Sequence, residues 1–290
     1  MNRIKFYLTP TLFLLPAIAL YTIFLINPIV QTVYMSFFEW NGVMKSPMRY
    51  IGWDNYVEMI GNKVFWKSLL NSFWFIVGSF VILMPLSFAL ALVITSKIRM
   101  RRFFKTAFFI PVVLPLTAVG LMWGFILYPN GGLVNLLLEN MGLHAWAKNW
   151  LGDSTLAIFS VVFVNEWIWA GFNMMIFSAG LVNISEEINQ AAEMDGAIGW
   201  KKMRYVTIPM LNESFKIFSV LAITGSLRVF DIIYVMTQGG PNNASDVPAT
   251  LLYYEGFRYN NFGVSNSIGV AILVLSLLGS ILLNKAMSRK

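Results

Sequence analysis

Glu166, Arg228 and Asp231 sit inside long apolar stretches of this 290-residue chain, and any chemistry must be sought there first. A charged side chain in hydrocarbon is expensive unless paired, so such residues mark a pathway, a relay or an ion pair. Counting about 1.5 Å per helical residue puts Glu166 about 16 Å below Thr155 and Arg228 about 13 Å below Thr237. Asp231 lies one turn from Arg228 on the same helical face. Two roles fit the trio: an ion-pair network locking two helices together, or the polar lining of a cavity. In the second role Asn165, Asn173, Trp167, Trp169 and Tyr234 would add amides and aromatic faces, which suit a ligand with both polar edges and apolar faces. Neighbours point about 100° apart around a helix, so these cannot all face one cavity. Asn173, Glu166 and Tyr234 are the favoured set.

Little else supports bond-making chemistry. Cysteine is absent, which removes thiol nucleophiles, iron–sulfur clusters and cysteine zinc sites. The one histidine, His144, falls in a loop with no carboxylate cluster beside it, so neither a metal site nor a catalytic triad is expected. No G-x-x-x-x-G-K-[ST] loop occurs, so the chain does not itself cradle ATP phosphates.

The elements that must position these residues are membrane spans. Hydrophobic residues make up 57% of the chain and charged ones only 12%, half the share of an ordinary soluble domain. An uninterrupted span needs about 20 mostly apolar residues. Six stretches qualify: roughly 11–37, 70–95, 106–128, 155–181, 214–237 and 264–284. Ala17-Ile18-Ala19 fits a signal-peptidase site, but the apolar run continues to Phe38, so an uncleaved first span is expected. Both ends and the 96–105 and 182–213 loops carry thirteen Lys and Arg, against six on the opposite side. Both termini are therefore expected in the cytoplasm. The +7 net charge is a topology signal, and nucleic-acid binding loses its support. Pro16, Pro28, Pro85, Pro111 and Pro115 fall within spans and need neighbours or water to satisfy the carbonyls they free. Gly120 and Gly124 form a small-xxx-small notch for close helix packing.

The most informative loop, 185–213, joins spans four and five. Ser185 is a good N-cap, Glu186 and Glu187 complement the helix dipole, and Gly196 suits a left-handed C-terminal position. These signals predict a short cytoplasmic helix with a slim Ala191-Ala192 waist, shaped to sit in a partner's groove. Its acidic start argues against a helix lying on anionic lipid.

This segment resembles the EAA loop of ABC-importer permeases, in which E-A-A-x-x-x-G is followed nine residues later by I-x-L-P. The match here is Gln190-Ala191-Ala192, Gly196 and Val206-Thr207-Ile208-Pro209, with every spacing kept. The longer form typical of maltose-type permeases is met by Glu187-Ile188, Ala191-Ala192 and Asp195-Gly196-Ala197. NEWIWAGFNMMIFSAGL in span four and FDIIYVMTQGGP ending span five look like stretches of multiple-sugar and raffinose-type permeases. Gln190 replaces the usual first Glu and Ser185 the usual Pro, which puts a specific ion pair from position 190 to an ATPase in doubt.

The resemblance implies one all-α permease domain over 1–290, in the plasma membrane of a prokaryote, forming half of a sugar pathway. It implies a second permease subunit (a heterodimer), a dimer of cytoplasmic ATPases holding ATP and magnesium, and an extracellular solute-binding protein. Glu187, Gln190, Ala191, Ala192, Asp195, Gly196 and Pro209 would couple to the ATPase. Glu166, Asn173, Arg228, Asp231 and Tyr234 are the pathway candidates. The alternative is an ion-coupled secondary transporter using Glu166 and Asp231 as a relay. It would call for internal repeats, which the sequence lacks, and leaves the loop spacing unexplained.

Overall fold

The computed structural model describes residues 13–96 and 98–287. Arg3, Lys5, Lys97, Arg289 and Lys290, which enter the charge count, lie outside the described residues. In chain order the main helices are α1 (Phe13–Met35), α2 (Asp54–Gly61), α3 (Lys63–Thr95), α4 (Arg101–Val113), α5 (Leu116–Ile126), α6 (Leu133–Asn140), α7 (Leu156–Val182), α8 (Glu186–Met194), α9 (Trp200–Met210), α10 (Asn212–Arg228), α11 (Asp231–Met236), α12 (Pro248–Tyr253) and α13 (Phe262–Met287). Strands β1 (Phe38–Glu39) and β2 (Arg49–Tyr50) pair antiparallel, with Phe38 opposite Tyr50. Among the described residues, α1, α3, α7 and α13 are each long and apolar enough to cross a bilayer. Two bent pairs, α4 with α5 and α9 with α10, raise the count to as many as six.

The bends correct two expectations. Residues 106–128 are not one straight helix, because α4 and α5 meet at 96°. Pro115 has no N–H for the Pro111 carbonyl, and it forces the preceding residue out of the helical region. Leu114 is accordingly extended (φ −70°, ψ 146°). The expected fifth span, 214–237, also breaks. Helix α10 stops at Arg228, Val229 is extended (φ −59°, ψ 127°), and α11 starts afresh at Asp231. No proline marks this break.

Other prolines are absorbed without a break. Pro28, Pro85 and Pro209 each follow a five-residue π turn, at Thr22–Ile26, Ser79–Leu83 and Met203–Thr207. A proline ring collides with the carbonyl four residues back, and in all three cases that carbonyl lies within the π turn, where the widened backbone has room for it.

The chain divides into two compact units, residues 1–62 with 251–273 and residues 63–250 with 274–290. In the first, Asn55 ties α2 to the end of α1, its Nδ2 donating to the Ser36 and Phe38 carbonyls at 2.8 and 3.0 Å. The second is built around α7, whose Val161, Val164, Ile168, Met174 and Phe177 are fully buried. Phe75 and Phe218 close on it from α3 and α10. Lipid tails are as apolar as leucine, so shape rather than water exclusion must hold such helices together. Gly171 serves that purpose: a Cβ there would meet the Phe108 main-chain carbonyl of α4. Half of the expected glycine notch is likewise used internally, Gly120 facing Ile232 and Val235 while nothing lies against Gly124.

Candidate functional site

Within the second unit a cavity of about 450 Å³ opens where α3, α7 and the α10–α11 break converge. Helix α7 presents Asn165, Trp169, Phe172 and Asn173 to it. These positions recur at helical spacing and so share one face. Helix α3 adds Ser79, the first residue of its π turn. The break supplies Arg228 from the last turn of α10 and Asp231 from the first turn of α11. A cation at a helix C-terminus and an anion at an N-terminus both match the local dipoles, which offsets part of their cost at this depth. Thr224 and Ser226 bond back to the carbonyls of Val220 and Ala222, both at 2.7 Å, and so hide their hydroxyl protons beside the cavity.

Of the five pathway candidates, the cavity brings together Asn173, Arg228 and Asp231 and leaves out Glu166 and Tyr234. Glu166 is 0% exposed. Its carboxyl accepts from Ser79 Oγ, at 3.2 Å to Oε1 and 3.3 Å to Oε2, and from Asn165 Nδ2 at 3.5 Å. The expected ion pair with Arg228 does not form: among the described residues the salt bridges are Glu39–Arg49, Glu193–Lys202 and Glu213–Lys216. Equal depth was a poor guide because Glu166 turns 100° away from Asn165, towards α3, while the helix break carries Arg228 to the cavity. Tyr234 stacks on Phe230, with ring centroids 5.3 Å apart, and Trp167 meets Trp123 edge-on at 5.4 Å. Ser79 was missed in the sequence. Its only signal was Pro85, six residues on, which announces the π turn that aims it.

The second candidate region is the 185–213 loop. Ser185 is extended and its hydroxyl accepts from Ile188 N at 3.4 Å. At the other end Gly196 has φ +75°. The Gly196 N–H reaches the Glu193 carbonyl at 3.1 Å and the Ala197 N–H reaches that of Ala192 at 2.8 Å. This paired closure satisfies two orphan carbonyls and stops the helix sharply. Glu187, Gln190, Ala191 and Asp195 are exposed, whereas Ala192 is 7% exposed. Pro209 lies in α9 after its π turn. Lys202 pairs with Glu193 at 3.0 Å, tying α9 to α8. Around the paired helices Met194 (87% exposed), Ile198 and Trp200 (71%) stand clear of the chain.

Two loop carboxylates are held away from their ordinary protonation. Asp153 caps α7, and the Thr155 hydroxyl, with the Thr155 and Leu156 amides, lowers its pKa. Asp246 is buried in the 238–250 loop, and burial raises its pKa against the opposing pull of the Thr250 hydroxyl and Lys67. Asn71 anchors the same loop, donating to the Ala244 and Asp246 carbonyls at 2.9 and 2.7 Å. Among the described residues no group of three or more His, Asp or Glu could hold a metal ion.

Comparison with known proteins places this architecture. The family model described as "Binding-protein-dependent transport system inner membrane component" matches residues 69–287. The chain is 35% identical over 271 residues to the probable ABC transporter permease protein YurN of Bacillus subtilis (strain 168), covering 92% of both. It is 30% identical over 288 residues to the lactose transport system permease protein LacF of Rhizobium radiobacter, covering 96% of this chain and 94% of that one. In fold it matches a chain of a bacterial ABC transporter involved in the import of the acidic polysaccharide alginate, with a TM-score of 0.84 at 24% identity over 99% of this chain and 97% of the other. The chain therefore belongs to the family of binding-protein-dependent inner membrane components, the permease subunits of ABC transporters.

Proposed function

We propose that this subunit forms half of the translocation pathway of an ATP-driven oligosaccharide importer. The observation that carries the reading is the mixed lining of the α7 cavity. Trp169, Phe172 and Phe230 offer apolar faces, while Asn165, Asn173, Arg228 and Asp231 offer donors and acceptors for ring hydroxyls. The lactose system to which LacF belongs and the alginate importer of like fold support a carbohydrate as the cargo. Each bent pair counts as one span, which makes six: α1, α3, α4 with α5, α7, α9 with α10, and α13. The basic residues then hold both termini and the 185–213 loop in the cytoplasm.

In this arrangement α8 docks on a cytoplasmic ATPase. Its exposed Glu187, Gln190, Ala191 and Asp195 and the apolar Met194, Ile198 and Trp200 form the contact, and Gly196 and Pro209 fix the angle of the joint. ATP and magnesium belong to the ATPase pair, whose closure pushes the docked helices together and turns the cavity outward. A second permease subunit closes the pathway from the other side, and an extracellular binding protein delivers the sugar. Uptake into proteoliposomes holding the whole complex tests the cavity. With lactose and an alginate oligosaccharide as cargo, Asn173→Ala and Arg228→Ala should each raise KM about tenfold, the effect of one lost hydrogen bond to a polar or charged group. Unchanged KM in both variants for a transported sugar would remove the cavity from the pathway.

A further inference from the structure

Glu166 is buried, unpaired by any cation among the described residues, and outside the cavity lining, yet both side chains that bond it line the cavity. Ser79 Oγ donates to its two carboxyl oxygens and Asn165 Nδ2 to one of them. A serine hydroxyl has one hydrogen and two lone pairs. With that hydrogen committed to Glu166, Ser79 can only accept from whatever occupies the cavity. One of the two Asn165 amide hydrogens is turned away in the same manner. The backbone is built for this contact. Gly78, just before the π turn, leaves room for Val162 and Glu166, since a Cβ there would run into the Val162 side chain and stand 3.3 Å from Glu166 Oε1. The close approach of α3 to α7 lets the short Ser79 side chain reach the carboxyl.

We propose that Glu166 is a positioning residue which sets the hydrogen-bond polarity of the cavity wall. By drawing away the Ser79 hydrogen and one of the two Asn165 hydrogens, it leaves the Ser79 oxygen as an acceptor and weights the wall towards ligands rich in hydroxyl donors. The proposal rests on the cavity being the carbohydrate pathway, and it assigns Glu166 no direct contact with the sugar.

Because the chain has no cysteine, Ser79→Cys is its single thiol, and its reaction with a water-soluble methanethiosulfonate in the assembled complex is read on this chain after the subunits are separated. A thiol held against a carboxyl reacts slowly, since the carboxyl both takes up its hydrogen and disfavours the reactive thiolate. Adding Glu166→Leu, which removes the acceptor altogether, should speed labelling on the order of 5- to 10-fold, the factor for one lost hydrogen bond. Equal rates in the two proteins would overturn the proposal. For whichever of lactose and the alginate oligosaccharide is transported, Glu166→Leu should raise KM several-fold with a smaller change in Vmax. In a Ser79→Ala/Asn165→Ala background the same substitution should shift KM no further, and a full additional shift would also overturn the proposal. Failure of the cavity assignment has a different signature: Asn173→Ala and Arg228→Ala leave KM unchanged, and the labelling rates alone then decide the Glu166–Ser79 contact.

Discussion

Replacing Gly196 should uncouple ATP hydrolysis from transport in a graded way. The helix it terminates, Glu186–Met194, has nine residues, fewer than the roughly 12–15 that an isolated helix needs to persist in water. It stands on its Ser185 cap, its Gly196 closure and the burial of Ala192. Nothing lies within 4 Å of a Cβ at position 196, so Gly196→Ala pays only for the left-handed backbone at φ +75°, about 1–2 kcal/mol. Gly196→Pro cannot adopt that φ at all and also loses the N–H that bonds the Glu193 carbonyl, so its cost exceeds about 3 kcal/mol. A penalty of 1.4 kcal/mol raises the frayed population about tenfold. The assay is ATP hydrolysis by the reconstituted complex with and without loaded binding protein. Stimulation should fall partially in Gly196→Ala and vanish in Gly196→Pro, with membrane insertion intact. Normal stimulation in Gly196→Pro would refute the docking role of this helix.

Further outcomes follow from other contacts. Gly171→Ala should push α4 off α7, because its methyl group meets the Phe108 carbonyl, and lower the thermal midpoint in detergent by the equivalent of about 1–3 kcal/mol; Gly61→Ala, which meets nothing within 4 Å, should leave it unchanged. Asp153→Ala removes a carboxylate that accepts from two backbone amides at the start of α7 and should lower the midpoint in the same melt. Burial holds the Asp246 pKa above its unfolded value, so the loop is most stable below the unfolded pKa and loses that stability as pH rises through the folded one. Limited proteolysis of the 238–250 loop should therefore slow on acidification from neutral pH in the parent protein and be flat in Asp246→Asn.

Much of this architecture is written in short-range patterns. The long apolar runs became α1, α3, α7 and α13 because twenty apolar residues in hydrocarbon have no alternative to helix. Ser185 and Gly196 took the roles their local chemistry favours, a side-chain acceptor at one end and a left-handed turn at the other. The cavity was harder to read, since it depends on which way helices turn and where they stop. Pro115 announced trouble but not a 96° bend, and the break at Val229 carried no proline at all. Adjacent residues Asn165 and Glu166 parted company because Glu166 turns into the contact between α3 and α7 while Asn165 lines the cavity beside it. Glu166 found Ser79, 87 positions away in the chain, a partner that no helical periodicity within span four can reveal.

The most direct test of the central claim is uptake of radiolabelled lactose and alginate oligosaccharide into proteoliposomes, comparing this chain alone with the complex of both permeases, the ATPase pair and the binding protein. The account predicts uptake of a carbohydrate only by the full complex, only with ATP and loaded binding protein inside and outside respectively, and unaffected by collapse of the proton gradient. Uptake by the purified chain alone, driven by a proton or sodium gradient without ATP, would contradict it.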